Sequence, residues 1–146
     1  MEPGRSRPHA AVVDARAHRR LALLDRLRAE FEPDGYPPGP EIHRTLRARH
    51  PDLVVLVAAP SALEGTFRLC RWLKTDLKPV ERVVIVNMDG VHRDPAGVLG
   101  DVLADGYWEG GGTAEEIAAF VREAWLGRRP VAVRPRRALL ARILGR

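Results

Sequence analysis

The side chains best suited to chemistry in this chain gather in a few short stretches. Gly110, Gly111 and Gly112 precede Thr113 in "WEGGGTAEE", a glycine-rich approach to a helix start. Free N–H groups and the helix dipole at such a start attract anions, so Gly110 to Thr113 form a candidate anion or phosphate loop. Asp14 closes an apolar run near the beginning of the chain, and Asn87 closes another. Asp89, His92 and Asp94 cluster in "NMDGVHRDP" without an activated serine or cysteine beside them, and Ser61 is only a remote nucleophile. Cys70 falls on the apolar stripe of a helix, where burial is expected. His9, His18, His43, His50 and His92 show no metal-ligand spacing, and no metal site is expected. No Walker, Gly-x-Gly-x-x-Gly or flavin phosphate pattern is present.

These residues need elements to position them. "HAAVV" reads as a short buried strand, followed by an amphipathic helix with Leu21, Leu24, Leu27 and Phe31 at helical spacing. "EPDGYPPGP" breaks that helix and leaves room for one short strand, and Pro40 opens a second helix. "PDLVVLVAA" and "ERVVIVNM" are continuous apolar runs that suit strands covered on both faces. The helix between them carries Phe67, Cys70, Leu73 and Leu77 on one stripe. "RDPAGVLGDVLA" predicts a helix capped by Asp94 and weakened by Gly97 and Gly100. "DGYWE" predicts a last strand, and "TAEEIAAFVREAWLG" a last helix with Thr113 as its cap and Gly127 as its end.

Strand and helix thus alternate about five times, which demands a parallel sheet with helices on both faces, an α/β architecture. In such open sheets ligands bind beyond the carboxyl ends of the strands, where Asp14, Asn87 and the glycine loop converge. The 146 residues suit one domain at 9–127, between a loose start at 1–8 and a tail at 128–146. The single cysteine excludes an intrachain disulfide, and no apolar run is long enough to cross a bilayer. With no secretory apolar stretch at its start, the sequence predicts a cytoplasmic protein.

The formal net charge of +5 is unevenly placed. Residues 128–146 hold seven Arg and no acid, so the remaining 17 basic residues face 19 acids. The body is therefore a poor surface for nucleic acid, whereas the tail alone attracts phosphate or anionic lipid. Its end, "RRALLARILGR", puts Leu139, Leu140, Ile143 and Leu144 on one helical face, with Arg136, Arg137 and Arg142 mostly outside it. A basic amphipathic segment this short needs a surface to become helical. A partner protein or the domain itself is the preferred surface, with anionic lipid as the alternative.

The segments "PDLVVLV", "EGTFRLCRWLKTD", "ERVVIVN" and "ADGYWEGGGTAEEIAAFVREA" resemble the second half of a response-regulator receiver domain. The resemblance covers roughly residues 9 to 127 and implies a flavodoxin-like (βα)5 doubly wound sheet with strand order 2-1-3-4-5. It also implies a phosphorylation pocket: two acids after the first strand holding Mg²⁺, an acceptor aspartate after the third, a Thr or Ser after the fourth and a Lys after the fifth. Here Asp14 stands but Ala15 replaces the second acid. The acceptor position falls on Leu56, Val57 or Ala58, all apolar, while Asn87 and Gly110 take the places of the hydroxyl and the Lys. The resemblance therefore implies a degenerate receiver that is not an enzyme, needs no cofactor and binds a protein partner, itself or another chain, independently of phosphorylation. Tyr107 matches the aromatic that the family swings inward, and with Trp108 it marks the face of the fourth helix, fifth strand and fifth helix as the expected contact.

A second family of the same fold, the cobalamin-binding domains, also resembles parts of the chain. "APSAL" with Ser61, "DGVHRDP" with His92 and "GGGTAEE" match its segments and imply a corrinoid lying over residues 110–113. The cobalt-ligating Asp-x-His-x-x-Gly pattern is absent, because Asp14 and His18 are too far apart and Arg replaces the Gly.

Overall fold

The computed structural model describes residues 7–58, 62–76, 80–88 and 94–134. The elements alternate as β1 (His9–Val13), α1 (Ala17–Leu27), β2 (Glu32–Tyr36), α2 (Ile42–Arg49), β3 (Leu53–Val57) and α3 (Leu63–Thr75). They continue with β4 (Arg82–Asn87), α4 (Val98–Asp101), β5 (Gly106–Glu109), α5 (Ala114–Trp125) and β6 (Val131–Val133). All neighbouring strands are parallel, in the order β2-β1-β3-β4-β5-β6. The expected order 2-1-3-4-5 holds, with one strand added at its end.

Alternation along the strands divides the core into two layers. Val54 and Leu56 of β3, with Val83 and Ile85 of β4, pack under α2, α3 and α4. Leu53, Val55 and Val57, with Val84 and Val86, pack under α1 and α5. Every residue of β3 is buried, which is why its sequence is an unbroken apolar run rather than an alternating one. Cys70 lies in the first layer, where its thiol donates to the Val102 carbonyl at 3.3 Å and burial pushes its pKa up to about 12. It is a packing residue, as its position on the helix stripe suggested.

Two elements differ from the sequence reading. The helix expected over "RDPAGVLGDVLA" shrinks to the single turn of α4, since Gly97 and Gly100 add backbone entropy that so short a segment does not offset. Asp94 instead caps a tight turn, accepting from the Gly97 N–H at 3.1 Å. The domain does not end at Gly127 either: "VAV" of the supposed tail forms β6 along the open edge of β5. The rest of the supposed tail, 135–146 with its amphipathic run, lies outside the described residues.

The last connection has an unusual hand. As the sheet grows from β3 to β5, α3 and α4 cross on one face; α5 lies on the other, beside α1, although β6 extends growth in the same direction. Parallel crossovers are right-handed in about 98% of cases, so β5–α5–β6 is a left-handed exception. The short link turns through Gly127 (φ 82°) and Arg129 (φ 51°), the second a conformation that an L side chain adopts only at some cost. Backbone bonds from the Tyr107 N–H to the Pro130 carbonyl and from the Arg134 N–H to the Glu109 carbonyl hold the strand in place.

β6 should therefore contribute to stability. A chain ending at Gly127 is expected to unfold in urea about 2 kcal/mol more easily than one ending at Arg134, because ladder bonds and apolar cover on β5 are lost. Equal midpoints would show that the added strand contributes nothing.

Candidate functional site

Three polar side chains are buried among the described residues, Asp14, Asn87 and Glu109, and all stand at the carboxyl ends of strands. Parallel pairing brings these ends together on the sheet edge where ligands bind in this architecture. The flanking residues are apolar: Leu56, Val57 and Ala58 at the end of β3 are all buried. None carries a nucleophile, whichever of the three is taken as the acceptor position.

Asp14 has 0% of its surface exposed. A buried carboxylate requires a partner charge and hydrogen bonds, and α1 supplies both. Arg19 approaches with a two-pronged grip, Nε to Oδ2 and Nη2 to Oδ1, each at 2.7 Å. The Arg16 N–H donates to Oδ1 at 3.0 Å, and Arg20 Nη1 donates to the Asp14 carbonyl at 2.6 Å. The stem of Arg20 lies over Gly35 of β2, where an added Cβ would come within 2.9 Å of its Cγ. Ala15 points to solvent and offers no ligand atom.

A receiver pocket implies Mg²⁺ at this position, and these residues do not fit it. Both Asp14 oxygens are already bonded to a guanidinium and a backbone N–H, and the described residues offer no set of hard oxygen ligands for a divalent cation there. The positive charge beside Asp14 belongs to the protein.

On the opposite face of the sheet edge, Asn87 Nδ2 donates to Tyr107 Oη at 2.9 Å, and Tyr107 Oη donates to Glu109 Oε1 at 2.8 Å. Tyr107 is fully buried and Trp108 is 2% exposed, on alternate faces of β5. The expectation that these two aromatics form a contact surface is therefore corrected: period-two alternation sends one ring into each core layer, and β6 closes the edge beside them. Burial raises the Tyr107 phenol well above its usual range, with the Asn87 bond opposing and Glu109 reinforcing the shift.

The glycine loop is filled by the chain itself. Gly110 has φ 102°, and a Cβ there would lie 1.6 Å from the Arg134 carbonyl oxygen. A Cβ on Gly112 would meet Trp108 Cζ2 at 2.4 Å. The Trp108 indole donates to the Gly110 carbonyl at 3.1 Å, and the Arg134 guanidinium lies over that ring at 5.3 Å while pairing with Glu116 at 2.9 Å. Thr113 and Glu116 form a capping box in which the Glu116 N–H donates to Thr113 Oγ1 and the Thr113 N–H donates to Glu116 Oε1. The helix start thus carries its own anion; the Thr113 N–H bond, with help from Arg134, holds the Glu116 carboxyl below its usual range. The anion loop expected at Gly110, Gly111, Gly112 and Thr113 is corrected accordingly, and a corrinoid over these glycines would need the space that Arg134 and Trp108 fill.

Ser61, His92, Arg136, Arg137, Leu140, Ile143 and Leu144 lie outside the described residues. No group of three or more potential metal ligands occurs among the described residues. Sequence reasoning missed Arg19, Glu109 and Arg134. An arginine five residues after a strand-ending aspartate, and an acid inside an apolar strand just before glycine, were the available signals.

No protein-family model matches the chain, and no characterised protein matches it in sequence. Solved structures match its fold. A response regulator from Thermotoga maritima superposes with a TM-score of 0.67 at 20% identity, covering 81% of this chain and 97% of its own. The chemotaxis response regulator CheY4 of Vibrio cholerae gives 0.67 at 12% identity over 82% and 99% of the two chains. A chain described as a CpaE2 pilus assembly protein from Sinorhizobium meliloti gives 0.59 at 16% identity over 80% and 98%. The chain has the fold of a response-regulator receiver domain, with β6 added.

Three measurements test this site. Arg19→Ala leaves a buried carboxylate without its counter-charge and is expected to cost about 3 kcal/mol in urea unfolding. Gly110→Ala meets both a positive φ and the Arg134 carbonyl, and a loss of about 3 kcal/mol is expected. The two tyrosines, Tyr36 and Tyr107, both have pKa values raised from 10.0 by burial, Tyr36 with Asp34 adding and Arg49 opposing. A raised folded pKa contributes stability that is complete below the unfolded value and is lost as pH rises through the folded one. Tyrosinate absorbance of the folded chain should therefore lag that of the urea-unfolded chain, and stability should fall above about pH 10.

Proposed function

We propose that this chain is a non-catalytic, receiver-like interaction module of the cytoplasm whose state is fixed rather than switched by phosphorylation. The observation that carries this reading is the two-pronged Arg19–Asp14 pair, a protein cation where the resemblance puts a metal. Two further features agree with it. The end of β3 has only apolar side chains to offer a phosphoryl group, and Tyr107 is bonded inward by Asn87 and Glu109.

With Tyr107 and Trp108 buried, Trp72 is the aromatic that a partner would contact. It projects half-buried from α3 toward α2, with the His43 ring 4.6 Å away edge-on and Arg47 over its face at 5.6 Å. Tryptophan and arginine in such a setting are favoured at the energetic centres of protein interfaces. The partner is a protein, a second copy or another chain, in a regulatory or assembly role. The pilus assembly protein among the structural matches agrees with the latter.

Exposure to a small phosphodonor with Mg²⁺ should leave the mass, the tryptophan emission and partner affinity of the chain unchanged. A phosphoryl adduct on any aspartate, or a change in affinity of about tenfold or more, would overturn the reading.

A further inference from the structure

The positive charge of the folded body is gathered on one side. α2 carries three Arg and no acid, and α3 carries two Arg, one Lys and a single Glu. Outside these helices, residues 1–127 hold 11 Lys and Arg against 18 acids. The two helices share a face of the sheet, since both pack on the same core layer. Ile42 and Leu46 are the buried side chains of α2, so the rest of that helix is left to the surface. Arg44 is matched by Glu41 at 3.6 Å and Lys74 by Asp105 at 2.9 Å, while Arg71 donates to the Asp101 carbonyl. Arg47 and Arg68 are exposed and have no ion pair among the described residues.

Trp72 stands with these two cations. Arg68 lies one helical turn before it on α3, and Arg47 reaches over its ring from α2. A guanidinium resting on an indole keeps its planar fork of N–H donors ordered, and the donors of Arg47 have no acceptor among the described residues. We propose that Arg47, Trp72 and Arg68 form a docking surface for an acidic segment of another protein. Carboxylates of that segment pair with the two guanidinium groups, and an apolar side chain between them covers Trp72. This partner chemistry rests on the reading of the chain as a protein-binding module.

The surroundings decide against other occupants. A nucleic acid needs a ring face on which to stack a base, and positive charge beyond the two helices to follow its phosphates. Trp72 has Arg47 over its ring and packs against the core layer, and the rest of the body is acidic. A bilayer needs exposed apolar side chains, and none of the large exposed hydrophobic residues described in this chain lies on α2 or α3. A second copy would have to offer an acidic stretch of its own. The acidic runs at 30–34 and 115–116 are partly neutralised within the chain, Glu30 by Arg122 and Glu116 by Arg134. An acidic segment of a different protein meets each requirement, because its charge complements the two helices and opposes the rest of the body.

The test is fluorescence anisotropy of the full chain with a fluorescein-labelled synthetic peptide of Glu residues around a central Leu, against the same peptide with Gln for Glu. Binding of the Glu peptide only is expected, with loss at about 1 M salt, where the Debye length falls to about 3 Å. Arg47→Ala and Arg68→Ala should each weaken binding several-fold, and the double variant about tenfold or more. Arg26→Ala, which removes an equal charge from α1 on the opposite face, should leave it unchanged. Both tested arginines are exposed, so the unfolding midpoints should move little. Amide resonances shifted by the peptide should fall within 43–49 and 68–75. The proposal fails if the peptide does not bind at about 1 mM, if the double variant binds as well as the parent, or if the shifted amides lie only beyond residue 134. Tighter binding of an oligothymidylate at the same arginines, or a dimer in sedimentation that the double variant loses, would assign the surface to nucleic acid or to a second copy and equally overturn it. A phosphoryl adduct would leave peptide binding untouched, and absence of peptide binding would leave the phosphodonor result untouched, so the two readings fall separately.

Discussion

A carboxylate with no exposed surface must find its counter-charge within the protein, and Asp14 finds it in Arg19. This single requirement organises the sheet edge. It ties the end of β1 to the first turns of α1, brings Arg20 over the edge strand β2, and fills with a guanidinium the position that a receiver pocket gives to a metal. An ordinary receiver uses the charge deficit of its acids to hold a cation that comes and goes. Here the cation beside the carboxylate is a side chain of the protein itself.

The same logic operates across the sheet. Asn87, Tyr107 and Glu109 are linked in a buried chain of hydrogen bonds, and such chains strengthen one another in a low-dielectric interior. The edge is thus ionic on one face and hydrogen-bonded on the other. The glycine loop completes this closure, because Trp108 and the backbone of Arg134 occupy the space that its missing side chains vacate. β6 covers the edge of β5 that would otherwise be open for pairing. The cost of that cover is a left-handed crossover turned by Gly127 and Arg129.

Much of the layout was legible in the residues themselves. Continuous apolar runs at residues 53–57 and 83–86 required strands covered on both faces, and the spacing of Leu24, Leu27, Phe67, Cys70 and Leu73 set the buried faces of two helices, although Leu21, expected on the first stripe, is exposed. Thr113, legible as a helix cap, does cap α5 and forms a capping box with Glu116. Asp14 and Asn87 were also identified as strand-ending polar groups, since an acid or amide closing an apolar run is a local signal.

What the residues did not decide was which distant groups would meet. Whether the tripled glycine is a ligand cradle or a packing necessity depends on Arg134, more than twenty positions away, reaching back through a strand that reads in sequence as part of a tail. Whether Tyr107 and Trp108 face solvent depends on the presence of that strand, and the partner of Asp14 depends on how α1 docks. Periodicity and capping act between near neighbours along the chain and so can be read directly. Burial of a particular ring, the filling of a particular loop and the pairing of a particular charge are set by contacts across the sheet, which exist only once the chain has closed on itself.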